Sequence, residues 1–224
     1  MLKKSRIKNM KINKVLQTIG FHSLLIVAAL TLAACSDHDD VVKLNNNSTI
    51  VAFGDSLTYG HGALSGDDTY PSQLEKITGY TVINSGVNGD TAQAGVKRLR
   101  AVVQEHNPDL VILSLGGNDM LRKQDKDLEE NLSKMVEYLL SRNIQVVLMA
   151  EPQPSIAFLV NSLNDAEVYQ IVAKKHNIPL IENVFSKYLS EYKYKSDTIH
   201  LNSEGYELVA EDVAKELKSF GLID

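Results

Sequence analysis

The feature that most restricts the fold of this chain is a regular alternation of short apolar runs with amphipathic segments. The apolar runs are rich in β-branched residues and cover 49–53, 80–84, 109–115, 144–150 and 178–181. Continuous apolar runs of this length are typical of strands that are buried on both faces. Apolar residues recur at helical spacing over 71–77, 91–106, 128–140, 166–176 and 203–220. The pattern predicts an α/β fold, a three-layer αβα sandwich around a five-stranded parallel sheet.

Composition excludes several classes of protein. Hydrophobic residues make up 44% of the 224 residues, which is enough to bury a core and excludes a disordered or fibrous chain. A single cysteine excludes a disulfide framework, and no Cys/His cluster has zinc spacing, so we expect no metal. The formal net charge of -5 argues against a nucleic-acid partner, which requires a basic surface. The length favours one domain.

The N-terminal segment has the layout of a secretory signal. Six basic residues and no acidic residue precede position 35, and a largely apolar stretch covers 19–34. This stretch is somewhat short for a membrane span of about 20 residues. Translation starting at either Met1 or Met10 would leave a complete signal, so the true start stays open.

The apolar stretch ends in Leu-Ala-Ala-Cys, which resembles the lipobox of bacterial lipoproteins. The resemblance implies that residues 1–34 are removed and that the sulfur of Cys35 receives diacylglycerol. The residue after Cys35 is Ser36 and not Asp, which implies sorting to the outer membrane in enteric-type bacteria. We therefore expect an exported, periplasmic, lipid-anchored protein. The alternative is an uncleaved anchor with an incidental cysteine. Residues 35–47 are then a polar tether, whose Asp and His residues suit a solvated linker better than a metal site.

Polar residues follow three of the predicted strands and precede the last predicted helix. Ser56 comes directly after the first apolar run, and Gly89 and Asn118 follow the second and third runs. Asp197 and His200 lie just before the final helical segment. Ligands of open parallel sheets bind at the carboxyl ends of the strands, so we expect these residues to lie close together.

These residue types suit nucleophilic attack on an ester. A serine hydroxyl is a weak nucleophile near neutral pH, so Ser56 needs a base, and His200 is the candidate for taking its proton. In a turn, a spacing of three residues lets the Asp197 carboxylate reach the Nδ1–H of His200, where it orients the ring and stabilises its protonated form. The serine and the histidine lie at opposite ends of the chain, so this constellation exists only if the sheet brings them together.

Four segments resemble, in their order along the chain, the sequence blocks of the SGNH/GDSL hydrolase family, and in particular its bacterial thioesterase I, protease I and arylesterase (lysophospholipase) type. They are GDSLTYG at 54–60, NSGVNGDT at 84–91, GGND at 116–119 and DTIH at 197–200. The resemblance covers essentially 48–222, and four ordered blocks are far more specific than any one of them. A lone Gly-Asp-Ser is a common turn, and a lone histidine is more often packed in a core.

The resemblance implies a flavodoxin-like sheet in a hydrolase domain at 48–224, a Ser-His-Asp triad of Ser56, His200 and Asp197, and an acyl-enzyme intermediate. It also implies an oxyanion hole formed by the backbone N–H groups of Ser56 and Gly89 and the side-chain amide of Asn118. No cofactor is implied, and the expected partner is a small acyl ester, thioester or lysophospholipid substrate bound by a monomer. The family often has proline directly after the histidine, where this chain has Leu201.

The sequence leaves three points open. His61 follows Ser56 by five residues, which suits a loop position or a substrate contact better than the role of the base. The apolar, proline-containing segment 151–164 either lines a groove for an acyl chain or packs against the last helix. The function has two alternatives: a glycan or peptidoglycan O-acetylesterase, which the catalytic blocks do not separate from other esterases, and a non-catalytic periplasmic binding module.

Overall fold

The structure is a computed structural model that describes residues 41–154 and 163–224. The predicted signal peptide, Cys35 and the first part of the predicted tether lie outside the described residues, as does the middle of the 151–164 segment. Over the ranges described, no helix combines the length and the apolar character needed to cross a membrane.

The sheet has five parallel strands in the spatial order β2-β1-β3-β4-β5, which confirms the predicted α/β architecture. The strands are β1 (Thr49–Gly54), β2 (Thr81–Gly86), β3 (Leu110–Ser114), β4 (Gln145–Met149) and β5 (Leu180–Ile181). Because β1 lies between β2 and β3, the segments that follow these three strands meet at one edge of the sheet.

Helices cover both faces of the sheet. They are α1 (Ser56–Tyr59), α2 (Tyr70–Thr78), α3 (Ala92–His106), α4 (Gly117–Leu121), α5 (Leu128–Ser141), α6 (Val168–His176), α7 (Val184–Leu189) and α8 (Ser203–Ser219). The five longer helices were predicted. The prediction missed α1, α4 and α7, because segments of four to six residues are too short to show a helical period.

The two faces of β1 explain why this strand is apolar from Ile50 to Phe53. Ile50 and Ala52 point into the core shared with α2, α7 and α8, whereas Val51 and Phe53 point into the core shared with α3, α5 and α6. Successive side chains of a strand point to opposite faces, so a strand with helices on both sides needs apolar residues at every position.

The folded domain begins earlier than the predicted boundary at residue 48. Leu44 is only 6% exposed, and its N–H donates to the carbonyl of Leu222 at 2.8 Å. The backbone of Val42 pairs with the side-chain amide of Gln145 through hydrogen bonds of 2.8 and 2.7 Å. Val42 and Leu44 of the predicted tether therefore contact the folded domain, which the sequence does not reveal because one buried leucine in a polar run leaves no periodic signal.

Glycine at the end of β2 allows the site loops to approach closely. A Cβ atom on Gly86 would lie 2.1 Å from the backbone nitrogen of Tyr59, at the end of α1. Any larger residue there would push α1, and with it Ser56, away from the edge of the sheet.

Candidate active site

The segment after β1 presents Ser56 at the first position of α1. Asp55 caps this short helix by accepting a hydrogen bond from the N–H of Leu57 at 2.9 Å. Gly60 ends the helix with a φ of 91°, in the left-handed region. The chain thus turns sharply from strand to helix, and Ser56 is half-buried at the carboxyl edge of the sheet.

The three side chains proposed from the sequence to form a triad meet at this edge. Nε2 of His200 lies 3.0 Å from Oγ of Ser56, and Nδ1 of His200 lies 2.7 Å from Oδ2 of Asp197. Oδ1 of Asp197 accepts hydrogen bonds from the N–H groups of Ile199 and His200 at 2.8 and 2.9 Å. The arrangement can pass a proton from the serine hydroxyl to the imidazole while the carboxylate holds the ring.

The loop that carries Asp197 and His200 is held by its own backbone. The N–H of Ser196 donates to the carbonyl of His200 at 3.0 Å, and Lys195 and Leu201 form an isolated antiparallel bridge. Leu201 is fully buried, so packing of this side chain positions the end of the loop that follows His200.

Hydrogen bonding keeps the Asp197 carboxylate charged. Partial burial raises its pKa, but the hydrogen bond from His200 and those from two backbone N–H groups outweigh burial and hold the pKa below its usual range. A charged carboxylate favours the tautomer of His200 with a proton on Nδ1, which leaves Nε2 free to accept the proton of Ser56.

Gly89 and Asn118, the other two residues assigned from the family resemblance, line the same cleft as Ser56 and His200. Gly89 has a φ of 73°, a left-handed conformation that glycine adopts without strain. Nδ2 of Asn118 donates to Oδ2 of Asp55 at 2.7 Å. A carboxamide nitrogen carries two hydrogens, so this contact orients the amide and leaves its second N–H for a ligand.

Two arginines hold these loops, and no sequence motif pointed to either. Nη2 of Arg122 lies 3.0 Å from the carbonyl of Gly89 and 3.4 Å from Oδ1 of Asn118. Arg98 donates to Asp90 at 2.7 Å and to the carbonyls of Ser85 and Gly54 at 3.0 and 2.9 Å. Arg98 therefore ties the ends of β1 and β2 to the loop that carries Gly89, which only the folded chain makes visible.

His61 lies beside His200 and forms no hydrogen bond to Ser56. Its ring centroid is 4.3 Å from that of His200, at an angle of 47°. His61 lies in a turn, as predicted, and lines the cleft. His61, Asp197 and His200 could also hold a metal ion. Among the described residues, they are the one group of three or more His, Cys, Asp or Glu side chains whose ligating atoms all lie within 4.8 Å of one another. Binding a metal there would withdraw Asp197 and His200 from the contacts described above.

The cleft has a volume of about 240 Å³ and an apolar wall. The wall is formed by Leu57, Leu121, Pro152, Pro154, Leu189 and Ile199. Both readings of the 151–164 segment hold for different residues: Pro152 and Pro154 line the cleft, whereas Leu163 packs in the core. Glu151, at the start of the same segment, lines the cleft floor and is buried.

Comparisons with known proteins find one matching family and several similar chains. Residues 52–208 match the GDSL-like Lipase/Acylhydrolase family. The chain is 32% identical over 176 residues to thioesterase 1/protease 1/lysophospholipase L1 of Escherichia coli (strain K12), covering 76% of this chain and 83% of the relative. It is 30% identical to an arylesterase of Vibrio mimicus, over 75% of this chain and 87% of the relative. A crystal structure of TesA superposes with a TM-score of 0.68 at 26% identity, covering 77% and 99% of the two chains.

Proposed function

We propose, from the premise that this chain belongs to the GDSL-like Lipase/Acylhydrolase family and hydrolyses ester bonds, that Ser56, His200 and Asp197 are its catalytic triad. The observation that carries the proposal is the pair of contacts made by His200, to Oγ of Ser56 at 3.0 Å and to Oδ2 of Asp197 at 2.7 Å. The sequence also left open a non-catalytic binding module. That alternative is incompatible with membership of a hydrolase family whose named relatives are esterases and thioesterases.

The contacts support a two-step reaction through an acyl-enzyme. Oγ of Ser56 attacks the acyl carbonyl while Nε2 of His200 takes the hydroxyl proton, and the carbonyl oxygen becomes an oxyanion. His200 then gives that proton to the leaving alcohol or thiol as the tetrahedral species collapses to the acyl-enzyme. A water molecule then attacks the acyl carbon and gives a proton to His200, which returns it to Oγ of Ser56 as the acid leaves.

The oxyanion would accept hydrogen bonds from three donors. They are the N–H groups of Ser56 and Gly89 and the Nδ2–H of Asn118 that Asp55 leaves free. Donors that are already oriented stabilise the oxyanion without reorganising during the reaction. The Asp55 contact to Asn118 and the Arg122 contact to Gly89 supply this orientation.

The apolar wall supports acyl esters or thioesters of short to medium chain length as substrates. Pockets for drug-sized ligands have volumes of roughly 300–1,000 Å³, so a cleft of about 240 Å³ suits a smaller group. The proposed leaving groups are small alcohols, thiols or the glycerophospho alcohol of a lysophospholipid, since the same two steps release all three.

A series of p-nitrophenyl esters from acetate to dodecanoate tests the substrate class. We expect kcat/KM to rise about three- to fourfold per added CH₂ until the cleft is filled, since each buried CH₂ contributes about 0.8 kcal/mol. Leu121→Ala, which shortens the apolar wall, is expected to flatten this rise. A strict preference for acetate in the wild type would contradict the acyl-groove proposal and support the glycan or peptidoglycan O-acetylesterase instead.

The proposed location is the periplasmic face of the outer membrane, with Cys35 as the lipidated residue. The basic and apolar segments that precede Cys35 support export, and the folded domain starts by Val41, shortly after it. The expected result is incorporation of labelled fatty acid into the wild-type protein and none into Cys35→Ser, measured after expression in enteric bacteria. Ser36→Ala is the matched control and should keep the label. An unlabelled, uncleaved wild-type protein would support the alternative of an uncleaved anchor.

A further inference from the structure

Two buried carboxyl side chains lie side by side beneath the cleft, and the reaction described above uses neither as an acid or a base. Asp55 is 3% exposed and Glu151 is 1% exposed. Both flank Gly117: a Cβ atom on this glycine would lie 2.4 Å from Oε2 of Glu151 and 3.6 Å from Oδ2 of Asp55. In the part of the chain that the structure describes, neither carboxyl forms an ion pair with a basic side chain. Two charged carboxylates without a cation are unfavourable there.

The hydrogen-bond partners show which of the two can carry a proton. Both oxygens of Asp55 accept from N–H groups, those of Leu57 at 2.9 Å and Asn118 at 2.7 Å. An N–H group is a donor only, so neither of these partners can accept a hydrogen bond from a protonated Asp55.

Glu151 differs from Asp55 in one partner. Its Oε2 accepts from the N–H of Gly117 at 2.6 Å, but its Oε1 lies 3.0 Å from the hydroxyl of Ser114. A hydroxyl accepts as well as donates. Of the four carboxyl oxygens of Asp55 and Glu151, Oε1 of Glu151 is therefore the one whose partner can accept a hydrogen bond from a protonated carboxyl.

We propose that Glu151 is a positioning residue that works as a neutral carboxylic acid, donating from Oε1 to Ser114 and accepting from Gly117 at Oε2. The two contacts join the end of β3 to the first residue of α4, and Asn118 is the next residue of that helix. Glu151 thereby holds the backbone that presents the proposed oxyanion donor. This inference rests on the proposed function for the role of Asn118.

A neutral acid at this position also suits the charge that the reaction develops. A negative oxyanion is stabilised by N–H donors and opposed by a nearby negative charge, and the effect is strongest where water is excluded. With Glu151 neutral, the two carboxyl groups place a single negative charge beneath the cleft, on Asp55. N–H donors to both oxygens of Asp55 partly neutralise that charge.

The surroundings of Glu151 favour its protonated form. Burial raises the pKa of Glu151 well above its usual range, and the charge of Asp55 raises it further. Burial also raises the pKa of Asp55, whereas the hydrogen bonds from Leu57 and Asn118 lower it. The ionisable side chains that face the pair from the surrounding elements are Asp119 on α4, Asp90 before α3, Tyr169 on α6, Tyr70 on α2 and His200 across the cleft.

Glu151→Gln and Glu151→Ala together test the kinetic part. Glutamine can donate to Ser114 through Nε2 and accept from Gly117 through Oε1, so we expect its kcat at neutral pH to stay within about threefold of wild type. Alanine loses both contacts, and we expect kcat to fall about 10- to 100-fold with little change in KM. A glutamine variant as impaired as the alanine variant would show that the charge is required and overturn the proposal.

Thermal unfolding from pH 5 to pH 9 tests the protonation state without reference to activity. A native pKa above that of the unfolded chain gives stability that is present at low pH and lost as the pH rises toward the native pKa. Glutamine never ionises, so the Tm of Glu151→Gln relative to wild type should increase steadily with pH. Glu75→Gln, an exposed change on α2, is the matched control and should show no such trend.

A Tm difference that stays flat over this range would mean that Glu151 is already ionised, and would overturn the proposal. The two measurements also separate this inference from the proposed function. If Ser56 were not the nucleophile, the kinetic comparison would lose its meaning, but the pH trend in Tm would remain.

Discussion

Ser56→Ala is expected to lower kcat/KM for ester hydrolysis by at least about 10⁴-fold. The hydroxyl of Ser56 is the group within hydrogen-bond distance of Nε2 of His200, at 3.0 Å, and alanine leaves the base without a nucleophile. Removing the nucleophile of a comparable triad costs about 10⁶-fold in kcat, and the oxyanion donors sustain the residual rate. The measurement is steady-state hydrolysis of a p-nitrophenyl ester together with covalent labelling by a fluorophosphonate probe, which binds the serine oxygen and releases fluoride.

The fold should survive this substitution. Ser56 begins a helix, where alanine is readily accommodated, and its side chain is half-buried at the rim of the cleft. Ser72→Ala on α2 is the matched control and should keep both activity and labelling. Near wild-type hydrolysis by Ser56→Ala would end the proposal that Ser56 is the nucleophile, and a wild-type protein that the probe fails to label would count against it equally.

Asn118→Ala is expected to lower kcat by about 10²–10³-fold, with a much smaller effect on KM. Loss of one oxyanion donor in comparable sites has this magnitude, because the donor binds the transition state more strongly than the ground state. The amide of Asn118 is already oriented by Asp55 at 2.7 Å, so little of its stabilising effect is spent on reorganisation. Rates measured over a range of substrate concentrations separate kcat from KM.

The same substitution also removes a buried hydrogen bond. Oδ2 of Asp55 would lose its partner, at a cost of about 1–3 kcal/mol in the free energy of unfolding. Denaturant unfolding of the variant therefore accompanies the kinetics, to show that the measured kcat belongs to folded protein. If KM rises while kcat stays unchanged, Asn118 only positions the substrate and is not an oxyanion donor.

Much of the sheet was accessible from the sequence because its central strands β1, β3 and β4 are buried on both faces. The runs around Val51, Ile112 and Val147 each contain four consecutive apolar residues, which is typical of a strand that packs against helices on both faces. The short helices α1 and α4 escaped prediction for the opposite reason. They span four and five residues. The side chain of Asp55 caps α1, and the Glu151 contact to Gly117 holds the start of α4.

The candidate site divides in the same way. Ser56, Gly89, Asn118, Asp197 and His200 were named from the sequence, because family blocks preserve residue types at fixed local spacing. Arg98, Arg122 and Glu151 were missed, because each acts through contacts with residues far away along the chain. Glu151, for example, bonds Ser114 and Gly117, which precede it by more than thirty residues.

The amino-acid sequence by itself determined the order of the five strands and the five longer helices along the chain, the resemblance to the hydrolase family and the candidate residues of the site. These follow from local patterns, namely side-chain periodicity and motifs of a few residues. Only the tertiary structure decided that Leu44 belongs to the core and that Glu151 and Asp55 share the floor beneath the cleft. Burial, hydrogen-bond partners and the charge state of a carboxyl depend on which distant segments surround it, and packing alone sets those neighbours.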